Sequence, residues 1–149
     1  MSSTDLTEKD SSDMPAWQRL HHIGFVVAAI SDVVEQFARA TGTRWDGQII
    51  HDPVQLVRVS FLAGASTDEP LLELVEPAAA ESPVRAFLSR GGGLHHLCYE
   101  VGHLEMQIER VRATGGLILC PPMSGIVFGG RRLTWVYTAQ RFLLEYVER

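Results

Sequence analysis

His21-His22-Ile23-Gly24-Phe25-Val26-Val27 and His95-His96-Leu97-Cys98-Tyr99-Glu100-Val101 are two versions of one segment, 74 residues apart. Each opens on a histidine pair and runs into apolar, β-branched and aromatic residues, the composition of a strand. Reading outward, Arg39-Ala40-Thr41-Gly42 recurs as Arg112-Ala113-Thr114-Gly115 at an offset of 73. Leu72-Glu73-Leu74-Val75-Glu76 recurs as Leu144-Glu145-Tyr146-Val147-Glu148 at an offset of 72. Three landmarks in one order mark an internal duplication. Solenoids use shorter units, roughly 20–50 residues, in three or more copies, so two copies of this length predict a pair of modules related by a pseudo-twofold axis.

The segments between the landmarks supply the elements. Leu20 to Val27 reads as a strand, Ser31 offers an N-cap, Val34, Phe37 and Ala38 follow at helical spacing, and Gly42 offers a stop. Val57, Val59 and Phe61 alternate like a half-buried strand, Leu71 to Val75 is another, and Pro77 closes it. In the second copy Leu104, Ile108 and Val111 form the apolar stripe of the equivalent helix. The expectation is an α+β fold of two βαβββ modules, one over about residues 17–77 and the other over about 94–149, joined by a linker helix at about 80–90, in a single domain 17–149. Residues 1–16 are rich in Ser, Thr, Asp and Glu and have little to bury, which predicts a disordered tail.

The bulk properties exclude several classes of function. A chain of 149 residues that is 46% hydrophobic suits one globular core. Its net charge of −5 argues against nucleic acid or an anionic membrane surface as partner. No apolar run approaches the ~20 residues of a membrane span and no secretion signal is evident, so a cytoplasmic location is expected. Cys98 and Cys120 lie in apolar segments and are expected to stay free thiols.

The duplication also gives four residues a reason to meet. Whatever His22 and Glu73 do in the first module, His96 and Glu145 should do in the second. Two neutral imidazoles and two carboxylates suit one divalent ion of the Zn, Ni, Co, Mn or Fe class, and their net charge of −2 would neutralise it. A glutamate within a strand as apolar as Leu71 to Val75 needs a partner if buried. By strand parity the adjacent His21 and His95 point the other way and are assigned to packing or solvent, while Glu76 and Glu148 are read as surface charges.

These residues resemble the vicinal-oxygen-chelate, or glyoxalase, superfamily from Leu20 to the C-terminus, and within it the methylmalonyl-CoA epimerases. The likeness is carried by His22-Ile23-Gly24, Leu72-Glu73-Leu74-Val75-Glu76-Pro77, Ser82-Pro83-Val84 with Phe87-Leu88, Gly91-Gly92-Gly93-Leu94-His95-His96 and Leu144-Glu145. The resemblance implies a curved mixed sheet around one metal held by His22, Glu73, His96 and Glu145, a substrate that chelates it through a carboxylate and a thioester carbonyl, and a homodimer. The chain departs from the family at Tyr137-Thr138-Ala139-Gln140-Arg141, where relatives usually carry a His-Pro-Lys turn, and near Gln55 to Ser60, where no separate acidic proton carrier is found.

The expected reaction is epimerisation or isomerisation by proton abstraction next to a carbonyl, with Glu145 and Glu73 as candidate catalytic bases and an acyl-CoA or other carrier thioester as substrate. The alternatives are another metalloenzyme of the same fold, such as a lyase, thiol transferase or dioxygenase, and a non-catalytic small-molecule-binding or resistance protein, against which the intact ligand set counts. Arg131 and Arg132, after Gly129-Gly130, are offered to a substrate carboxylate or phosphate. Trp135 and Phe128 are assigned to the core rather than to a pocket.

Overall fold

The structure, a computed structural model, describes residues 17–149; the expected tail at 1–16 lies outside the described residues. Each module starts with a long strand, β1 (Gln18–Val26) or β6 (Gly93–Val101), followed by a helix, α1 (Ile30–Thr41) or α3 (Leu104–Ala113). The first module continues with β2 (Arg44–Trp45), β3 (Ile50–Asp52), β4 (Val57–Ala63) and β5 (Leu71–Pro77). The second continues with β7 (Leu117–Ile118), β8 (Met123–Ser124), β9 (Arg132–Tyr137) and β10 (Leu143–Glu148). A short helix, α2 (Arg85–Ser89), lies in the connection. The sheet order is β2-β4-β5-β1-β6-β10-β9-β7, with β3 added to β4 and β8 added to β9. The first of the three strands expected after each helix is thus split into two short pieces that both pair with the next strand, in both copies.

The pseudo-twofold axis passes between β1 and β6, which pair antiparallel, while β1 pairs parallel with β5 and β6 parallel with β10. This places the four strands that carry His22, Glu73, His96 and Glu145 side by side at the centre of the sheet. Strand parity then sorts their side chains. In β5, Glu73 and Val75 line a cavity, while Leu72 and Leu74 pack with Ile30 and Val34 of α1. In the second module Val101, Val136 and Tyr146 pack beneath Leu104, Ile108 and Val111 of α3.

Parity also explains how the helices are capped. The N-cap of α1 is Ala29, not Ser31, and that of α3 is His103; neither uses its own side chain as a cap. Instead Glu76, one strand position beyond Val75 and on the helix side, accepts a hydrogen bond from the Ile30 N–H at 2.6 Å and pairs with Arg58. Glu148 repeats the arrangement, accepting from the Leu104 N–H at 3.3 Å. These two glutamates are therefore not free surface charges. A carboxylate at the helix N-terminus satisfies an orphan donor and meets the positive end of the dipole, worth about 1 kcal/mol. Gly42 closes α1 in the left-handed conformation at φ 67°, as its position predicts.

Candidate metal centre

Two lateral rows of the sheet build the site. In one, Glu73, Gly24 and His96 are neighbours across β5, β1 and β6. In the other, His22, Cys98 and Glu145 are neighbours across β1, β6 and β10. Both rows direct their outer side chains to one point. The His22 and His96 Nε2 atoms are 3.1 Å apart. Glu73 Oε2 lies 3.2 Å from His22 Nε2 and 3.3 Å from His96 Nε2, and Glu145 Oε2 lies 3.4 and 3.7 Å from the same two atoms. Donors that share one ion at ~2.0–2.2 Å sit roughly 3.0–3.6 Å apart, so His22, Glu73 and His96, whose ligand atoms all lie within 4.8 Å of one another, fit a divalent cation of the class expected for mixed imidazole and carboxylate ligands, with Glu145 beside the two histidines as the fourth candidate.

All four are buried, with relative exposures of 0% for His22, 5% for Glu73, 5% for His96 and 2% for Glu145. Burial this deep leaves ionisable groups only each other, protons or a cation as partners. Burial of His22 disfavours its charged form, but the Glu73 charge and side-chain hydrogen bonds with Cys98, Glu145 and Glu73 outweigh this and raise its pKa well above the ordinary imidazole value. For Glu73, burial pushes upward, yet the His22 charge and hydrogen bonds from both histidines hold the carboxyl well below the usual carboxylate range. Without a cation, a proton on His22 takes the cation's place. Burial and the Glu145 charge push the Cys98 thiol up to about 12, which disfavours the thiolate.

Sequence parity misplaces two residues. The pairing passes from Leu20 opposite Tyr99 to His22 opposite Cys98, and from Gly24 opposite His96 to Phe25 opposite Leu94. His21 and His95 are thus the inserted residues of two β-bulges, and a bulge re-aims side chains that regular pleating would send to opposite faces. Instead of pointing away, His21 Nδ1 lies 2.9 Å from His22 Nδ1, and His95 Nδ1 lies 2.9 Å from His96 Nδ1. Burial, and the adjacent His22 or His96, lower both pKa values to about 4. The doubled His-His in both copies is the signal that marks these positions.

A cavity of about 370 Å³ opens over the quartet, lined by Glu73, His96 and Glu145, with His22 behind them. Val57, Val59 and Val75 form an apolar wall from the first module, and His95, Trp135 and Tyr137 face them from the second. Trp135 and Phe128 pack against the buried cluster of Cys98, Leu133 and Val147, as their core assignment expects, and also line the cavity. The Trp135 ring meets His96 edge-on at 4.7 Å and its Nε1–H donates to Gln55 Oε1 at 3.0 Å, tying the modules together across the cavity. Phe128 stacks on His22 at 6.0 Å. Arg131 and Arg132 are not among the lining residues: Arg131 pairs with Glu100 at 2.6 Å, and Arg132 with Glu148 at 2.8 Å and with Glu105.

With this geometry in place, the comparisons with known proteins converge. Residues 21–134 match the Glyoxalase/Bleomycin resistance protein/Dioxygenase superfamily. The chain belongs to that superfamily. It is 29% identical over 103 residues to the ethylmalonyl-CoA/methylmalonyl-CoA epimerase of Cereibacter sphaeroides, covering 68% of this chain and 74% of that one. It is 32% identical over 102 residues to the mitochondrial methylmalonyl-CoA epimerase of Bos taurus, covering 63% of this chain and 54%, about half, of the bovine one. A crystal structure of a Streptomyces coelicolor methylmalonyl-CoA epimerase variant in complex with 2-nitronate-propionyl-CoA superposes with a TM-score of 0.73 at 25% identity, covering 87% of this chain and 96% of that one. Among the described residues, no helix is long and apolar enough to cross a membrane.

Proposed function

We propose that this protein is a divalent-metal-dependent epimerase or isomerase that removes and returns a proton on the carbon beside a carbonyl, with an acyl-CoA or comparable carrier thioester as substrate. The observation that carries the reading is the placement of two carboxylates, Glu73 and Glu145, in one cavity and from opposite modules, around the two histidine Nε2 atoms. His22, Glu73, His96 and Glu145 would hold a Co, Ni, Zn, Mn or Fe ion. When bound, it supplies Lewis-acid stabilisation of negative charge developing on the carbonyl oxygen.

The chain's own residues do the rest. Glu145, or Glu73 by symmetry, is the candidate base: its carboxylate takes the proton from one face of the substrate carbon and becomes the carboxylic acid. The opposite face takes a proton from solvent water by way of the other carboxylate, and the first acid gives its proton back to water, so that each carboxylate ends as it began. Val57, Val59 and Val75 give the cavity an apolar wall, and the lower local dielectric beside it strengthens each electrostatic contact. The named activities of the relatives support the thioester class.

Incubation with methylmalonyl-CoA in deuterated water tests this, with loss of the α-proton signal followed by NMR. The expected outcome is exchange that chelator abolishes and added metal restores, and that Glu145→Gln slows about 10²- to 10⁴-fold. Full activity in a Glu145→Gln variant that keeps its metal would remove Glu145 as base. A second reading, a lyase, thiol transferase or dioxygenase on the same scaffold, is favoured by one observation. The buried acid of the adjoining loop, Asp52, is occupied by the Val54 and Gln55 N–H groups and the Gln55 amide, so the cavity has no carboxylate beyond Glu73 and Glu145 among its lining residues. Metal uptake without proton exchange would select it.

A further inference from the structure

We propose that His21 and His95 are positioning residues that set the tautomer of the two metal-donor histidines. The proposal rests on the metal reading of the quartet and extends it to the layer behind.

A neutral imidazole has one N–H and one lone pair, so His22 and His96 can offer Nε2 to a cation only if Nδ1 carries the proton. Each Nδ1–H then needs an acceptor, since both rings are buried. The acceptor in each module is the Nδ1 lone pair of the preceding histidine at 2.9 Å, which places that histidine's own proton on Nε2. The two dyads share one geometry. Ring centroids are 5.1 Å apart in both, with interplanar angles of 79° and 90°. Aromatic edges hold the outer rings: Phe128 lies 5.6 Å from His21, and Phe87 lies 4.8 Å from His95.

The bulges give the arrangement its backbone cause. Both strands break their pairing at the histidine before the ligand, and that break lets consecutive side chains turn toward each other. Partners behind a metal ligand more commonly are carboxylates, carbonyls or water. An imidazole supplies an acceptor without adding a negative charge beside Glu73 and Glu145.

His21 is the cleaner position to test, because it is not among the residues lining the cavity over the quartet. Zinc affinity of purified protein, measured by calorimetry with a competing chelator, should fall 10- to 100-fold in His21→Phe and recover most of that loss in His21→Asn, whose amide oxygen restores an acceptor. Unchanged affinity in a folded His21→Phe protein overturns the proposal while leaving the metal site standing. Wild-type protein that takes up no zinc overturns both, so the two failures are distinguishable. Long-range ¹H–¹⁵N correlation spectra of zinc-loaded wild-type protein with ¹⁵N-labelled histidine decide the matter even if the variant does not fold. Protons on Nδ1 of His22 and His96 and on Nε2 of His21 and His95 are expected, and a proton on Nδ1 of either outer histidine contradicts the assignment.

Discussion

The equivalent rows of the two modules differ at their centres: Gly24 sits between Glu73 and His96, whereas Cys98 sits between His22 and Glu145. A Cβ on Gly24 would overlap the His96 ring, so this imidazole lies in the space a side chain would take. His22 has no such space and is held instead against Cys98, Phe61 and Phe128, fully buried. One histidine faces the cavity and the other lies behind it. Duplication thus supplies four candidate donors, and small departures from symmetry leave His96 beside the cavity and His22 behind it.

Substitutions at the two row centres should break this comparison most sharply. Gly24→Ala drives a methyl group into the His96 ring and is expected to cost about 3 kcal/mol by overpacking, with loss of metal, whereas Cys98→Ala removes one buried sulfur and is expected to cost about 1 kcal/mol with metal retained. Urea denaturation and metal content of the two variants measure the contrast. Equal effects would mean that the rows are interchangeable.

The dyads, by contrast, should respond to acid alike. His21 and His95 have pKa values of about 4 in the folded protein against 6.5 for a free imidazole. Between those values the unfolded chain binds more protons, so metal-free protein loses stability as pH falls from about 6.5 to about 4. Discounted for partial solvent screening, the two rings together account for ~2 kcal/mol. His22 does not offset this loss: its raised pKa gives a contribution already complete below pH 6.5 and lost only as pH rises through its folded value. Glu73, with its depressed pKa, adds to the loss at the acid end. Denaturant titrations of chelated protein across this range measure the slope, and a flat profile would contradict the burial of the dyads.

The helix caps make the smallest contrast. Glu76, buried and 2.6 Å from the Ile30 nitrogen, should cost ~1–2 kcal/mol as Glu76→Gln, while Glu148, at 3.3 Å from the Leu104 nitrogen, should cost under ~1 kcal/mol as Glu148→Gln. Thermal unfolding of the pair would show whether the first module's helix is the more firmly seated.

The duplicated landmarks made the modules, their helices and the quartet legible, because a repeat carries long-range information that local pattern lacks. What parity could not show was the consequence of one inserted residue. A bulge changes the side-chain direction of its neighbours without changing composition, and so His21 and His95 read as outward-facing. The caps were hidden for a different reason: Glu76 and Glu148 act on helix termini 46 and 44 residues away, beyond any local capping motif. Trp135 reads as core by residue type, but the indole N–H needs a partner and finds Gln55 across the cavity.

The central claim, that both modules hold one ion through His22, Glu73, His96 and Glu145, is tested most directly by X-ray absorption on cobalt-loaded protein. The account predicts about one ion per chain, with the outer-shell scattering of two imidazoles and an inner shell of nitrogen and oxygen. Uptake below ~0.2 ion per chain, a sulfur ligand, or a shell without imidazole would contradict it.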